Sequence, residues 1–228
     1  MPKKVVVFLG PSLPEAEGRK ILDAVFMPPA KRGDIYKAAR DGAQVICLID
    51  GVFFQDCSVA HKEILYALET GVQVIGASSM GALRASELDV YGMKGVGDIY
   101  QAYQQRELVS DDEVALIFDP FSLEPLSEPL VNIRYNLRAA EEKGAIDEET
   151  SRIILQTAIS FYFPDRNYDR IIEACQGKVS NDILDRFRKF IAADRKDLKM
   201  IDAISALQLA KEIAQKTEKI SSSDNLIG

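Results

Sequence analysis

Two adjacent serines, Ser78 and Ser79, stand between a short apolar run, Val72-Gln73-Val74-Ile75-Gly76, and a helix-favouring segment, Met80-Gly81-Ala82-Leu83-Arg84-Ala85. The window Ala77-Ser78-Ser79-Met80-Gly81 has the small-x-Ser-x-Gly spacing of a nucleophile elbow. In such a turn small flanking residues permit a tight passage from strand to helix, with the helix N-terminus under the serine oxygen. A hydroxyl attacks only when something removes its proton. The bases nearest in sequence are His61 and Lys62, in the first turn of a helical pattern running from Ser58 to Thr70. Lysine can serve where desolvation or a helix N-terminus favours its neutral form. His61 is the sole histidine, so a Ser-His-Asp triad must use it. Val59, Ala60, Ile64, Leu65, Ala67 and Leu68 define the apolar side of this helix. At about 100° per residue His61 falls within that side and Lys62 on its flank. Structural alternatives stand beside these roles: a core histidine and a solvated surface lysine.

Other motifs carry less chemistry. Gly76 and Gly81 have the spacing of a phosphate-binding loop, but Ala82-Leu83 stands where the lysine and the magnesium-binding hydroxyl belong. Gly92, Gly95 and Gly97 follow a helical pattern rather than a strand and read as a mobile loop. Asp111-Asp112-Glu113 reads as a capping acid cluster ahead of Val114-Ala115-Leu116-Ile117. The three cysteines, Cys47, Cys57 and Cys175, are an odd count without a C-x-x-C pair, which argues against a disulfide framework and a structural metal site. Cys47 sits in an apolar run and reads as core.

The elements that must position these residues come in alternation. Val5 to Leu9, Gln44 to Ile49 and Val72 to Gly76 read as strands; Glu15 to Val25, Gly33 to Arg40 and Ser58 to Thr70 read as helices. Strands separated by helices imply a parallel sheet. Ligands of such sheets bind beyond the carboxyl ends of the strands, so the turns Gly10-Pro11-Ser12, Asp50-Gly51 and Ala77-Ser78-Ser79 should share one crevice. Pro120, Pro125 and Pro129 then punctuate an irregular stretch. Leu130 to Lys143, Asp147 to Phe161, Tyr168 to Cys175, Asn181 to Ala193 and Leu198 to Thr217 show three- and four-residue apolar spacing. The expected fold is α/β: a small parallel sheet flanked by helices over residues 1–130, then an all-helical extension over 131–228. A polar tail, disordered from about residue 221, would end it.

Composition bounds the function. No apolar run approaches the roughly 20 residues of a membrane span. The N-terminal Val5 to Leu9 run is too short for a signal peptide, so a cytoplasmic location is expected. A net charge of −7 disfavours nucleic-acid binding through a basic surface, leaving a protein partner or a small ligand. Metals and cofactors are not expected.

Several ordered blocks together resemble the TfuA family. They are Phe8-Leu9-Gly10-Pro11-Ser12-Leu13, Pro28-Pro29-Ala30, Gly33-Asp34, Leu48-Ile49-Asp50-Gly51-Val52-Phe53, His61-Lys62-Glu63-Ile64-Leu65, Gly76 through Ala85, Gly92-Met93, Asp112-Glu113-Val114-Ala115 and Ser127 through Asn132. The resemblance covers about the first 135 residues. It implies a partner of YcaO enzymes in peptide backbone thioamidation, a hydrolase that frees sulfide from the thiocarboxylated C-terminus of a ThiS-like sulfur carrier and helps YcaO engage its peptide. A Ser-Lys pair is the active site the resemblance implies, falling here on Ser79 and Lys62, with Ser78 as the alternate nucleophile. Backbone N–H groups at Met80, Gly81 or the Gly10-Pro11-Ser12 turn would hold the oxyanion. Asp50 would orient the lysine, and Arg84 would bind the carrier's carboxylate-like end. A non-catalytic adaptor that brings carrier and peptide to YcaO is the rival reading.

Overall fold

The computed structural model describes residues 4–53 and 57–224, with side chains as far as residue 216. The chain divides into two compact units, one of residues 1–111 with 199–228 and one of residues 112–198.

The first unit alternates strands and helices: β1 (Val5–Phe8), α1 (Glu15–Ile21), β2 (Val25–Met27), α2 (Asp34–Arg40), β3 (Val45–Leu48), α3 (His61–Glu69), β4 (Gln73–Ala77), α4 (Met80–Leu88), β5 (Lys94–Val96) and α5 (Asp98–Gln104). All four pairings are parallel and the order is β2-β1-β3-β4-β5. Parallel neighbours need a crossover, which the helices supply. The direction of winding reverses between β1 and β3, the position where ligands of such sheets bind. Side chains alternate along the strands. Val6, Phe8, Ile46, Leu48 and Val74 pack with Ile35, Ile64, Ala67 and Ala85 on one face. Val5, Val7, Val45, Cys47 and Ile75 pack on the other with Leu22 and with Ala203, Ala206, Leu207 and Ala210. Those last four lie on the final helix, α10 (Leu198–Asp224), at i, i+3, i+4 and i+7. Three alanines among them let the helix approach the sheet closely. Asp202, on the same helix, accepts hydrogen bonds from the Asp98 and Ile99 N–H groups that open α5, at 3.0 and 2.9 Å. Burial pushes its carboxyl up to about 6, against the opposing pull of those two bonds.

The parallel core and the helical C-terminal part agree with the expected class. Three details differ. The helix expected over Glu15 to Val25 stops at Ile21, and Val25–Met27 forms an edge strand of exposed, buried and exposed residues. Three residues are too few for periodicity to register. The glycine segment expected as a mobile loop contains β5, whose Gly95 pairs in register with Gly76. Its backbone does the pairing, so no apolar run announces it. Helix α3 begins at His61, with Ala60 as its N-cap, rather than at Ser58. Residues 225–228, part of the expected tail, lie outside the described residues, and the bounds of α10 extend to Asp224.

The second unit packs α6 (Leu130–Glu142), α7 (Glu148–Ser160), α8 (Tyr168–Ala174) and α9 (Asn181–Asp194) around Ile133, Leu137, Ile154, Ile171 and Phe187. Asp147 caps α7 by accepting from the Thr150 N–H at 2.8 Å, and the Thr150 side chain together with that N–H holds its carboxyl below the usual range. Arg166 is buried and donates to the Asp112 carboxylate and to the carbonyls of Asp112, Ala158 and Phe161. Arg134 grips the Glu113 carboxylate with two bonds of 2.9 and 2.8 Å. Two of the three acids in the 111–113 run thus serve as arginine partners.

Candidate functional site

The site is built at the end of β4. The Ser79 N–H donates to the Ala77 carbonyl at 2.8 Å, closing a three-residue turn around Ser78, whose φ is +65°. This is the strained form of the γ-turn, rare because a side chain is crowded at positive φ. Such a conformation costs about 1–3 kcal/mol and persists only when its surroundings hold it. Ser79 is then the N-cap of α4: its carbonyl accepts from the Ala82 and Leu83 N–H groups at 3.0 and 3.3 Å. An N-cap serine ordinarily spends its hydroxyl on a helix N–H, but this one makes no such bond. Every fully buried polar side-chain atom among the described residues has a partner. The 2% of Ser79 that is accessible must therefore include Oγ.

Ser78 is fully buried, and its hydroxyl donates to Ser12 Oγ at 2.9 Å. The Ser12 hydroxyl donates in turn to Asp50 Oδ1 at 2.6 Å. Asp50 Oδ2 accepts from the Gly10 and Ser12 N–H groups at 2.9 and 3.1 Å. The three strand-end turns therefore meet as expected, at the reversal between β1 and β3. An internal carboxylate fills the cradle of N–H groups that a bound anion would otherwise use.

Close backbone approach makes three glycines necessary. A Cβ on Gly10 would lie 2.5 Å from Pro29 Cγ, and one on Gly76 would lie 2.2 Å from the Gly81 carbonyl oxygen. A Cβ on Gly81 would lie 1.8 Å from the Leu48 carbonyl oxygen. The Gly81 N–H donates to the Ile49 carbonyl at 3.2 Å. Of the backbone donors expected to hold an oxyanion, those of Gly10, Ser12 and Gly81 are thus engaged, while the Met80 N–H has no partner among the described residues.

Neither expected base is hydrogen-bonded to Ser78 or Ser79 among the described residues. Lys62 is exposed in the first turn of α3 and makes no hydrogen bond or ion pair with Ser79 among the described residues. His61 is exposed rather than in the core, with Nε2 2.8 Å from Glu87. Because α3 starts at His61, its buried residues are Glu63, Ile64 and Ala67, a face that excludes the first two positions. Arg84 donates to the Val59 carbonyl at 2.9 Å and to Glu87 at 2.7 Å, so its charge is met within its own helix. The Asp50 carboxylate bonds to Ser12 and Gly10 and to no lysine among the described residues. Sequence reasoning missed Glu63, which accepts from the Ala60 and Gly33 N–H groups at 3.0 and 2.7 Å and ties α3 to the start of α2. The Ala60-x-x-Glu63 spacing of a capping box was its signal, masked by the absence of a serine or threonine at the cap.

A parallel α/β unit that presents a serine from a strained strand-to-helix turn, at the carboxyl ends of its strands, has the architecture of elbow-bearing α/β proteins. A model of the TfuA-like protein family matches residues 50–167, more than half of the 228-residue chain, and the chain belongs to that family. The matched span contains Asp50, Lys62, Ser78 and Ser79, whereas Gly10 and Ser12 precede it. No curated protein matches the chain.

Proposed function

We propose that this protein hydrolyses the thiocarboxylated C-terminus of a ThiS-like sulfur carrier and delivers sulfide to a YcaO enzyme for peptide backbone thioamidation. The observation that carries the reading is the Ser79 hydroxyl, unspent on capping, at the strained turn that ends β4 in a TfuA-like chain. Ser79 Oγ attacks the thiocarboxylate carbon, and an O–C bond forms as the C–S bond breaks. The serine proton ends on sulfur, which leaves as hydrosulfide. Water then cleaves the acyl-serine, returning the hydroxyl and yielding the carrier carboxylate and a proton. The Met80 N–H is the donor available to the oxyanion, and one such donor typically contributes about 3 kcal/mol. Lys62 is exposed and makes no hydrogen bond with Ser79 among the described residues, which favours a role in meeting an anionic group arriving from solvent over one in collecting the serine proton.

The test is sulfide release from thiocarboxylated carrier, read beside carrier binding for wild type, Ser79→Ala and Lys62→Ala. Ser79→Ala should abolish release and retain binding, whereas Lys62→Ala should raise KM more than it lowers kcat. An adaptor reading is favoured by the engagement of the Gly10, Ser12 and Gly81 N–H groups, which leaves few donors for an oxyanion. Wild type that binds carrier and YcaO but releases no sulfide above background would establish the adaptor instead.

A further inference from the structure

We infer that Asp50, Ser12 and Ser78 form a positioning chain that locks the γ-turn and thereby aims the Ser79 hydroxyl. The inference rests on the proposed Ser79 chemistry and assigns the adjacent serine a different task. Each hydroxyl has one proton, so the chain has a direction: Ser78 donates to Ser12 and Ser12 donates to Asp50. The Ser78 proton is committed inward, and a residue with no exposed surface does not meet a carrier tail. A buried carboxylate with no cation partner among the described residues is held instead by two N–H groups and one O–H. Charge-assisted bonds of this kind are short and directional. The carboxylate thus anchors Ser12, and Ser12 anchors the strained residue whose peptide sets the direction of Ser79. The links join residues 38 and 66 positions apart, so the ends of β1, β3 and β4 are fixed to one another at the reacting atom.

Ser78→Gly separates positioning from simple stability. Glycine accepts φ near +65° without strain but cannot bond to Ser12, so the losses and gains in folding oppose each other. The melting temperature should stay close to that of wild type. The turn should nevertheless lose its direction, and misplacement by about 1 Å costs on the order of 100-fold in reactivity. The first probe is phenylmethylsulfonyl fluoride, which tests the serine without needing the carrier. Peptide mapping should place the sulfonyl group on Ser79 in wild type and on neither serine in Ser79→Ala. Ser78→Gly and Ser12→Ala should label at least about 10-fold more slowly. With thiocarboxylated carrier the same two variants should lose kcat while KM stays within about twofold, because the chain does not touch the carrier. Ile64→Val, a core change in the same unit, controls for destabilisation and should leave the labelling rate unchanged. Labelling of Ser78, unchanged labelling rates in both variants, or no labelling of wild type would overturn the inference. Ser79 labelling that is slowed in both variants, without sulfide release by wild type, would uphold the positioning chain and refute the thiocarboxylate reading.

Discussion

Gly81→Ala sets two effects against each other. Helix propensity alone predicts stabilisation, since alanine exceeds glycine by about 1 kcal/mol inside a helix. The structure predicts the reverse. The new Cβ would stand 1.8 Å from the Leu48 carbonyl oxygen and 2.7 Å from its carbon, both backbone atoms of β3 that no rotamer change can move. Overpacking against a fixed neighbour costs about 3 kcal/mol. The shift that relieves it also breaks the Gly81 N–H bond to Ile49, worth about 1 kcal/mol. After the propensity gain about 3 kcal/mol should be lost, which for a chain of this size lowers Tm by roughly 6–12 °C. Urea and thermal unfolding followed by far-ultraviolet circular dichroism read both quantities. Gly81→Ala as stable as wild type, or more so, would refute the claim that α4 is clamped onto the end of β3.

Asp202 makes stability depend on pH in an unusual direction. Its folded-state pKa of about 6 lies above the ordinary 3.8, so the unfolded chain releases this proton first, and the contribution present below about pH 4 is lost as pH rises through 6. The loss approaches about 3 kcal/mol and should appear as a wild-type slope that Asp202→Asn lacks in urea titrations between pH 4 and 7; parallel slopes would refute it. Replacing Arg166 with Met should cost about 3 kcal/mol, because the Ala158 and Phe161 carbonyls lose their donor and Asp112 its cation. A loss below about 1 kcal/mol in equilibrium urea unfolding would contradict that accounting. Cys57 is exposed, whereas Cys47 and Cys175 are buried and burial pushes the Cys47 thiol up to about 12. A chromogenic disulfide reagent should therefore titrate one thiol in native protein and three in denaturant, and rapid native reaction at Cys47 would refute the buried assignment.

The long apolar patterns were the legible part of this chain. The helices after Leu130 lie close to the periodicity that marked them, because amphipathic segments of this length carry several turns of signal. The convergence of Gly10-Ser12, Asp50 and Ser78 was also legible, since parallel strands carry their carboxyl ends to one edge. Strands β2 and β5 were not, being three residues each and held by ladder bonds that any sequence can make. The apolar face of α3 was misjudged at His61 because Val59 and Ala60 were counted into the helix, although they precede its first turn. The periodicity around residue 200 marked a helix but could not say that its alanines lie on the sheet. Nor does spacing reveal which of two adjacent serines takes positive φ; that depends on Ser12, 66 residues away.

The last helix closes the first unit. Ala203, Ala206, Leu207 and Ala210 cover strand residues as early in the chain as Val5 and Val7. During synthesis from the N-terminus these strands emerge long before their cover exists. One face of the sheet must wait, apolar and wet, while the chain between β1 and residue 203 is made. Release of the nascent polypeptide before residue 199 would strand that face, so a truncated product should be recognised by chaperones and proteases as unfinished. The stability of strands made first thus depends on a helix made about 200 residues later, which ties the fold of the first unit to synthesis beyond residue 210.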